Sequence, residues 1–271
     1  MTGMGPVVLV TGASSGIGRA ATIALAGAGF RVIGTSRDTS RVTPPDGVTL
    51  LDLDVTSDES VSAVVGQVIE RFGHIDVLVN NAGIGSAGAA EESSAAEDQR
   101  VFDVNVFGLI RMTKAVLPHM RARGRGRVVN VSSVAGFAPQ PFMAAYVASK
   151  HAVEGYSESL DHEVREHGVR VLRVLPGPVN TPFDDNLVRA RTPLPVYARR
   201  VRIFDEVMTE TMRGGDDPAV IAKAIVTAAT DPKPKLRYLA GSTAARVATL
   251  RRLVPARAFD RSIRKLNRFT D

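Results

Sequence analysis

PVVLVTGASSGIGRA, residues 6–20, decides the fold of this 271-residue chain, because it leads from an apolar strand through a glycine-rich turn into a helix. Gly12, Gly16 and Gly18 fall at that turn. Glycine is favoured there because the backbone must turn tightly and come close to a pyrophosphate, whose charge is met by the amides of the helix N-terminus. The spacing is GxxxGxG, whereas the commoner dinucleotide-binding fingerprint is GxGxxG.

The same alternation of apolar strand and helix continues over the first 240 residues. Seven stretches have the character of buried strands: PVVLVTG, RVIGTS, VTLLDLDV, IDVLVNNAG, GRVVNVSS, VRVLRVLPG and LRYLAG. Uninterrupted apolar strands separated by helices predict a parallel sheet that is covered on both faces. We therefore expect an α/β fold of the doubly wound Rossmann type, with a seven-stranded parallel sheet and ligands at the carboxyl ends of the strands. Pro44 and Pro45 leave little room for a helix between residues 37 and 47.

Length and composition favour one soluble domain with an appended segment. We assign residues 1–241 to a single Rossmann-type domain that includes a substrate lid at 182–215, and residues 242–271 to a basic helical extension. The chain has no cysteine, no apolar run long enough to cross a bilayer and no basic leader at its start. These features predict a cytoplasmic protein without disulfides.

The net charge of +6 is unevenly distributed. Residues 233–271 carry 11 basic and 2 acidic side chains, a net +9, and the remaining residues carry 23 basic and 26 acidic ones, a net −3. A nucleic-acid-binding role would rest on this C-terminal stretch and on RARGRGR at 121–127, which lack interleaved aromatic residues. We therefore expect no nucleic-acid partner.

Tyr146 and Lys150 form the pair with the clearest chemical meaning. Helical geometry places positions four apart on one face, so the ammonium group would lie beside the phenol. An adjacent cation favours the phenolate, and we expect it to lower the pKa of Tyr146 toward the range of a general acid or base. The alternative is a half-buried aromatic residue beside a solvated surface charge.

Arg37 indicates which dinucleotide would bind. The second strand ends at Ser36, where an NAD-binding domain usually places an acidic residue against the ribose 2′-hydroxyl. A guanidinium suits a 2′-phosphate, because its planar donors match the phosphate oxygens. The sequence thus favours NADP(H) over NAD(H), although a surface arginine in a turn is the alternative.

Five motifs in fixed order make the chain resemble the short-chain dehydrogenase/reductase family: TGASSGIG, NNAG at 80–83, NVSSVAG at 130–136, YVASK at 146–150 and PGPVNT at 176–181. The likeness extends over roughly residues 6–240. It implies catalytic roles for Asn105, Ser133, Tyr146 and Lys150. Together with Arg37, the residues that it implies for cofactor contact are Gly12, Ser14, Ser15, Gly16, Ile17, Gly18, Asp54, Val55, Asn81, Ala82, Gly83, Tyr146, Lys150, Pro176, Gly177, Val179 and Thr181.

The resemblance also implies a metal-free hydride transfer between a nicotinamide and a carbonyl or alcohol. Tyr146 would exchange the proton, Ser133 would hold the substrate oxygen, and Asn105 would position a water beside Lys150. Ser133 is preferred to Ser132 because it lies thirteen residues before the tyrosine, the usual family separation. A non-catalytic NADP-sensing protein is the alternative of another class, and the presence of all four catalytic residues argues against it.

The lid and the residues before Tyr146 carry the expectation about substrate. An apolar pocket is predicted from Phe137, Phe142, Met143, Phe183, Tyr197 and Phe204, although each could instead be a core residue. Together they favour a lipophilic, steroid- or retinoid-like substrate over a small polar one. A ketoacyl-type biosynthetic reductase is the competing interpretation. The arginines of the lid are expected to form a solvated helix face.

Two short basic amphipathic helices are predicted on either side of Pro255, with apolar faces at Val247, Leu250 and Leu253 and at Phe259, Ile263 and Leu266. Packing on the domain is favoured, while an oligomer contact and contact with an anionic membrane surface stay open. The resemblance further implies a homodimer or homotetramer formed through the helices that carry Asn105 and Tyr146.

Overall fold

The computed structural model describes residues 5–269, in which a seven-stranded parallel sheet forms the centre of the fold. The strands of residues 5–269 are β1 (Val7–Val10), β2 (Arg31–Ser36), β3 (Val48–Asp52), β4 (Val77–Asn80), β5 (Gly85–Ala87), β6 (Gly126–Val131), β7 (Val169–Pro176), β8 (Leu187–Arg189) and β9 (Arg237–Ala240). The central sheet has the order β3-β2-β1-β4-β6-β7-β9, and every pair in it is parallel. All seven predicted strands are confirmed.

Helices cover both faces of this sheet. The α-helices of residues 5–269 are α1 (Gly16–Gly27), α2 (Asp58–Phe72), α3 (Ala95–Phe102), α4 (Leu109–Ala122), α5 (Ala144–Val164), α6 (Pro195–Arg213), α7 (Pro218–Thr230), α8 (Ser242–Leu253) and α9 (Ala256–Leu266). Helices α1 and α7 pack on one face, and α2, α4 and α5 pack on the other. No helix within residues 5–269 is long and apolar enough to cross a bilayer.

Strand β1 shows why the strands are apolar without interruption. Val8 and Val10 belong to the core on the side of α1 and α7, whereas Val7 and Leu9 belong to the core on the side of α2 and α4. Successive side chains of a strand point to opposite faces, so a sheet that is covered on both faces buries every one of them. All four residues are fully buried.

The strand order reverses between β1 and β4, and the loops after β1, β4, β6 and β7 meet at this edge of the sheet. In open α/β sheets such a reversal leaves a crevice at the carboxyl ends of the strands, where ligands bind. Residues 37–47 contain no helix, as the two prolines predicted.

A second, two-stranded sheet was not expected. Its strands β5 and β8 pair in parallel, with Gly85 opposite Leu187 and Ala87 opposite Arg189. Strand β8 lies inside the 182–215 segment and is followed by α6, so this pairing attaches the segment to the loop after β4. Three-residue strands with the sequences GSA and LVR carry no recognisable alternation, which is why the sequence pattern missed them. Helices α8 and α9 flank Pro255, as predicted.

Candidate active site

A cavity of about 640 Å³ opens at the carboxyl ends of the strands. Its walls include every residue that the sequence assigned to cofactor contact, as well as Ser133, Tyr146 and Lys150. Asn105 alone among the predicted site residues does not line the cavity; it lies behind the wall, with 2% of its surface exposed. The tertiary structure therefore gathers segments from residue 12 to residue 181 into one cleft.

The glycine-rich turn packs so closely on neighbouring backbone that side chains would not fit. Gly12 has φ 67°, and a Cβ there would lie 2.9 Å from the Cα of Ala82. A Cβ on Gly18 would lie 2.0 Å from the carbonyl oxygen of Gly12, well inside van der Waals contact. The turn thus lets a ligand approach the backbone at the N-terminus of α1, where unpaired amides favour an anion. This is the form that a dinucleotide pyrophosphate requires, and the residues present fit such a cofactor.

Asn81 joins this turn to the loop after β4. Its side-chain amide donates to the carbonyl oxygens of Thr11 and Gly12, both at 3.0 Å. The backbone amides of Asn81 and Ala82 in turn donate to the Thr11 hydroxyl, each at 3.0 Å. These four bonds fix the two sides of the cleft floor relative to each other, because both loops would otherwise be free to move past the strand ends.

The opposite wall of the cleft comes from residues 176–181, after β7. Thr181 packs against the turn, since a Cβ on Gly16 would lie 3.3 Å from the Thr181 side chain. The segment is held from outside by Asp216, whose amide donates to Pro178 at 2.9 Å and whose carbonyl accepts from Asn180 at 3.0 Å. The end of the 182–215 segment is therefore tied directly to this wall of the cleft.

Arg37 and Asp54 lie at the far end of the cleft. Both line the cavity, and Arg37 is exposed. Hydrogen bonds from the Thr56 hydroxyl and amide hold the pKa of Asp54 below its usual value, and the positive charge of Arg37 adds to this effect. This end of the cleft accordingly presents one fixed carboxylate and one accessible guanidinium.

The first turns of α5 carry Tyr146 and Lys150. The Lys150 ammonium donates to the carbonyl oxygen of Val131 at 3.0 Å and lies 5.7 Å from the centre of the Tyr146 ring. The backbone amide of Tyr146 donates to the Ser86 hydroxyl at 3.1 Å, which fixes the start of the helix against β5. Ser133 begins a short turn after β6, and its hydroxyl accepts from the amide of Ala135 at 3.1 Å. The sequence-predicted tyrosine, lysine and serine are thus brought to one side of the cavity.

Asn105 lies in a π-helical turn, Asp103–Gly108, between α3 and α4. Its side-chain oxygen accepts from the amide of Ile84 at 2.9 Å, and its nitrogen donates to the Ile84 carbonyl at 2.9 Å and to the Ser149 hydroxyl at 3.0 Å. A Cβ on Gly83 would lie 3.3 Å from the Asn105 oxygen and 3.9 Å from the Lys150 nitrogen. Gly83 therefore leaves open space between these two polar groups.

Comparison with known proteins agrees with this arrangement. The family described as short chain dehydrogenase matches residues 6–192. The chain belongs to the short-chain dehydrogenase family. This dehydrogenase is 44% identical over 180 residues to the 3-ketodihydrosphingosine reductase of Bacteroides thetaiotaomicron, an alignment that covers 66% of each chain. It is 36% identical over 252 residues to the 17-beta-hydroxysteroid dehydrogenase type 1 of Homo sapiens, with 86% of this chain and 76% of that protein aligned.

A solved structure supports the same assignment over the whole length. The crystal structure of a short-chain dehydrogenase from Streptomyces avermitilis shares 39% sequence identity with this chain, with a TM-score of 0.84 and full coverage of both chains. The protein is accordingly an oxidoreductase that acts on carbonyl and hydroxyl groups.

The electrostatics of this dehydrogenase correct one expectation. Withdrawal from water raises the pKa of Tyr146, and the neighbouring Ser133 side chain opposes this only in part. Burial also lowers the pKa of Lys150 to about 8, although the negative charge of Glu154 partly counteracts it. The prediction that the phenol pKa is lowered is therefore wrong, because burial raises it and Lys150 is not among the groups that shift it.

The predicted apolar pocket is only partly correct. Phe142, Met143, Phe183 and Phe204 form one cluster with Tyr146, and the Phe183 ring meets the Tyr146 ring edge-on at 5.6 Å. Only Met143 and Phe183 line the cavity, because Phe142 and Phe204 pack behind the wall and Phe137 and Tyr197 lie outside the cluster. The Tyr197 hydroxyl instead donates to Glu91 at 2.7 Å. The sequence pattern could not place these side chains, because it does not show which neighbours each of them packs against.

The structure adds cavity residues that sequence reasoning missed. They come from the loop after β6, from α6 and from the C-terminal helices: Ala138, Pro139, Gln140, Val207, Met208, Thr211, Met212, Thr243, Val247, Ile263, Leu266 and Asn267. The amphipathic pattern of the C-terminal segment identified Val247, Ile263 and Leu266 as an apolar face. It gave no indication that this face lines the cavity.

Proposed function

We propose that this dehydrogenase transfers a hydride between NADP(H) and a lipophilic carbonyl or alcohol. The observation that carries the proposal is the apolar cluster around Tyr146, of which Met143, Phe183 and Met208 line the cavity while Phe142 and Phe204 pack behind them. Apolar walls around a few polar groups suit a substrate that is mostly hydrocarbon. The names of the two curated relatives, a 3-ketodihydrosphingosine reductase and a 17-beta-hydroxysteroid dehydrogenase, point to the same substrate class.

Tyr146 is the proposed acid in carbonyl reduction. Its raised pKa keeps the phenol protonated at neutral pH, so that it holds a proton to donate to the substrate oxygen. Ser133 donates a second hydrogen bond to that oxygen and stabilises its developing negative charge. A bound nicotinamide supplies the hydride, and the chain supplies position and electrostatics.

Lys150 is proposed to stabilise the negative charge that Tyr146 acquires as its proton leaves. Its pKa of about 8 means that the ammonium form predominates at neutral pH. Asn105 is proposed to complete a route to solvent by positioning a water in the space beside Gly83. Because both ends of its amide are bonded to Ile84 and Ser149, Asn105 contributes by fixing the geometry of that space and through the remaining acceptor site of its oxygen.

NADP(H) is proposed over NAD(H) because of Arg37. Its guanidinium is exposed at the end of β2 beside Ser36, where the 2′-position of the adenosine ribose would lie. A 2′-phosphate would pair with this side chain through charge-assisted hydrogen bonds, whereas a 2′-hydroxyl would gain far less.

We also propose a cytoplasmic homodimer or homotetramer. Phe107 is 52% exposed on the π-helical turn that carries Asn105, and an aromatic side chain in that position favours contact with a second copy. Static light scattering at micromolar concentration should give at least twice the chain mass of 28.8 kDa. Sedimentation with anionic vesicles tests peripheral membrane contact through α8 and α9.

The proposed function is tested by NADPH consumption with carbonyls graded from small polar ketones to steroid- and retinal-sized ones. We expect turnover of the large apolar carbonyls and little turnover of the small ones. Turnover confined to ketoacyl thioesters would identify a biosynthetic reductase. Cofactor binding without turnover in either direction would overturn the oxidoreductase assignment of Tyr146 and favour a sensor.

A further inference from the structure

The C-terminal segment lies against the substrate end of the cavity. Ile263, Leu266 and Asn267 line the cavity from α9 and the residue after it, opposite Met208 of α6. We name residues 263–269 the C-terminal wall. Three separate contacts hold this wall in place, and each reaches an element that borders the reacting groups.

The first contact is polar and buried. Asn267 is 7% exposed, and its oxygen accepts from the side-chain amide of Gln140 at 2.9 Å. Its nitrogen donates to the carbonyl of Ile263 at 2.9 Å, which closes the end of α9. Gln140 lies six residues before Tyr146 and itself lines the cavity. A buried amide pair tolerates little displacement, because an unpaired polar group would be left behind.

The second contact is aromatic. The Phe269 ring stacks on the Phe142 ring at 6.2 Å with an angle of 4° between planes, and Phe142 also meets Phe204 of α6 at 5.7 Å. Phe142 has φ 64°, a left-handed conformation that costs energy for a residue with a side chain. Packing of this ring against both neighbours stabilises that conformation next to the start of α5.

The third contact is ionic and joins the wall to α6. Arg268 pairs with Glu206 at 3.3 Å and with Glu210 at 2.7 Å, and Arg200 donates to the Arg268 carbonyl at 3.1 Å. The Arg200 guanidinium also lies 4.9 Å from the centre of the Phe269 ring. A single exposed ion pair contributes little, so the effect of this group depends on several contacts acting on one short segment.

From these contacts we propose that the C-terminal wall determines substrate specificity. The wall fixes the distance between α6 and the loop before Tyr146. Its apolar side chains, Ile263 and Leu266, limit the size of the apolar substrate that fits. The inference rests on the proposed function, because it takes a lipophilic carbonyl as the occupant of this end of the cavity. It assigns a substrate-binding role to a segment that lies beyond the family match at residues 6–192.

The first test is Ile263→Trp, which enlarges the wall without touching the cofactor end. We expect KM for the largest carbonyl to rise by about tenfold or more, with KM for a small ketone and the affinity for NADPH changed by less than about twofold. An equal effect on large and small carbonyls, or no effect on either, would overturn the proposal. Leu266→Trp serves as the second variant if the first does not fold.

The second test breaks the contact with α6. Arg268→Glu places a negative charge beside Glu206 and Glu210, and we expect discrimination between large and small carbonyls to fall by about tenfold. Adding Glu210→Arg should restore it, whereas Arg261→Glu should not change it, since Arg261 bonds to a carbonyl within α9. Loss of discrimination in the control, or no recovery in the double variant, contradicts the assignment.

A measurement made without substrate tests whether the C-terminal wall is held in place even if the proposed function is wrong. The chain contains no tryptophan, so the indole introduced by Ile263→Trp is the sole tryptophan reporter of the wall. Acrylamide quenching of its fluorescence should increase when Arg268→Glu is added and stay constant when Arg261→Glu is added. If quenching follows this pattern but no carbonyl is turned over, the proposed function fails. If carbonyls are turned over but quenching does not respond, the wall is not held as proposed.

Discussion

The two ends of the cavity are built in different ways. The proposed cofactor end is made of backbone and short side chains at the ends of buried strands, where the glycine turn and the Asn81 bonds to Thr11 and Gly12 hold the backbone in place. The proposed substrate end is made of the 182–215 segment, which includes α6, and of the C-terminal wall. These two parts meet through longer side chains such as Arg268 and Phe269.

This difference shows which features of the site a sequence can specify. Contacts at the cofactor end depend on backbone conformation, which short motifs encode directly. Contacts at the substrate end join residues far apart in the chain, such as Gln140 and Asn267, and depend on which helix faces cross. Substitutions at the cofactor end should therefore change the activity with all substrates alike. Substitutions at the substrate end should change the activity with large and small substrates to different extents.

The largest effect is expected at Tyr146, where the two ends meet. Tyr146→Phe removes the proposed proton donor and should lower kcat by about 10³-fold for every carbonyl, with NADPH affinity nearly unchanged. Tyr156→Phe is the matched control on the same helix and should keep its activity, because Tyr156 packs in the core away from the cavity. Activity of the Tyr146 variant close to wild type would assign the proton to another group.

Gly18→Ala tests whether the cofactor end is rigid. A Cβ at this position would lie 2.0 Å from the Gly12 carbonyl oxygen, so the turn must open. We expect the affinity for NADPH to fall by about 100-fold, the scale of a misplacement of about 1 Å.

Gly27→Ala is the control for Gly18→Ala, since nothing lies within 4 Å of a Cβ there and the residue is in the same helix. It should raise the free energy of unfolding by about 0.5–1 kcal/mol and leave binding unchanged. Isothermal titration and thermal unfolding separate the two effects. Equal loss of affinity in both variants would show that the turn is not the sensitive feature.

Arg37→Ala tests which cofactor the cleft prefers, NADPH or NADH. Loss of a charged hydrogen-bonding partner should weaken NADPH binding by about ten- to 100-fold and leave NADH binding unchanged. Fluorescence titration with both cofactors measures the ratio. Parallel changes for both cofactors would contradict the proposed preference.

The smallest effect is expected when the negative charge of Glu154, which acts on Lys150, is removed. Carbonyl reduction should be constant below the Lys150 pKa of about 8 and fall as the pH rises through it, because the ammonium form is then lost. Burial lowers this pKa, and the negative charge of Glu154 in the next turn of α5 raises it. Glu154→Gln should therefore move the inflection of kcat/KM to lower pH, and the rate at pH 8 should fall by about twofold.

Glu158→Gln is the matched control for that shift. Glu154 and Glu158 both pair with Arg173 and Arg237, but only Glu154 acts on Lys150. The control should change stability without moving the inflection. A shift of equal size in both variants would mean that the arginine pair, and not the carboxylate at 154, sets the profile.

Much of the fold was predictable because each strand of a doubly covered sheet is apolar throughout and is bounded by glycine-containing turns. The β5–β8 sheet was not predicted, because its strands are three residues long and join the loop after β4 to the distant 182–215 segment. Phe137, Phe142, Tyr197 and Phe204 were wrongly expected to line the pocket, since a sequence pattern does not show which neighbour covers a side chain.

The sequence by itself determined the family and the glycine-rich turn, and it singled out Asn105, Ser133, Tyr146 and Lys150 as the candidate catalytic residues, because these residue types recur in the family's motifs at regular spacings. Only the tertiary structure decided the electrostatics and the substrate end. Burial raises the pKa of Tyr146 and lowers that of Lys150, and burial depends on every element packed around them. The C-terminal wall likewise exists only once α6, α9 and the loop before Tyr146 have come together.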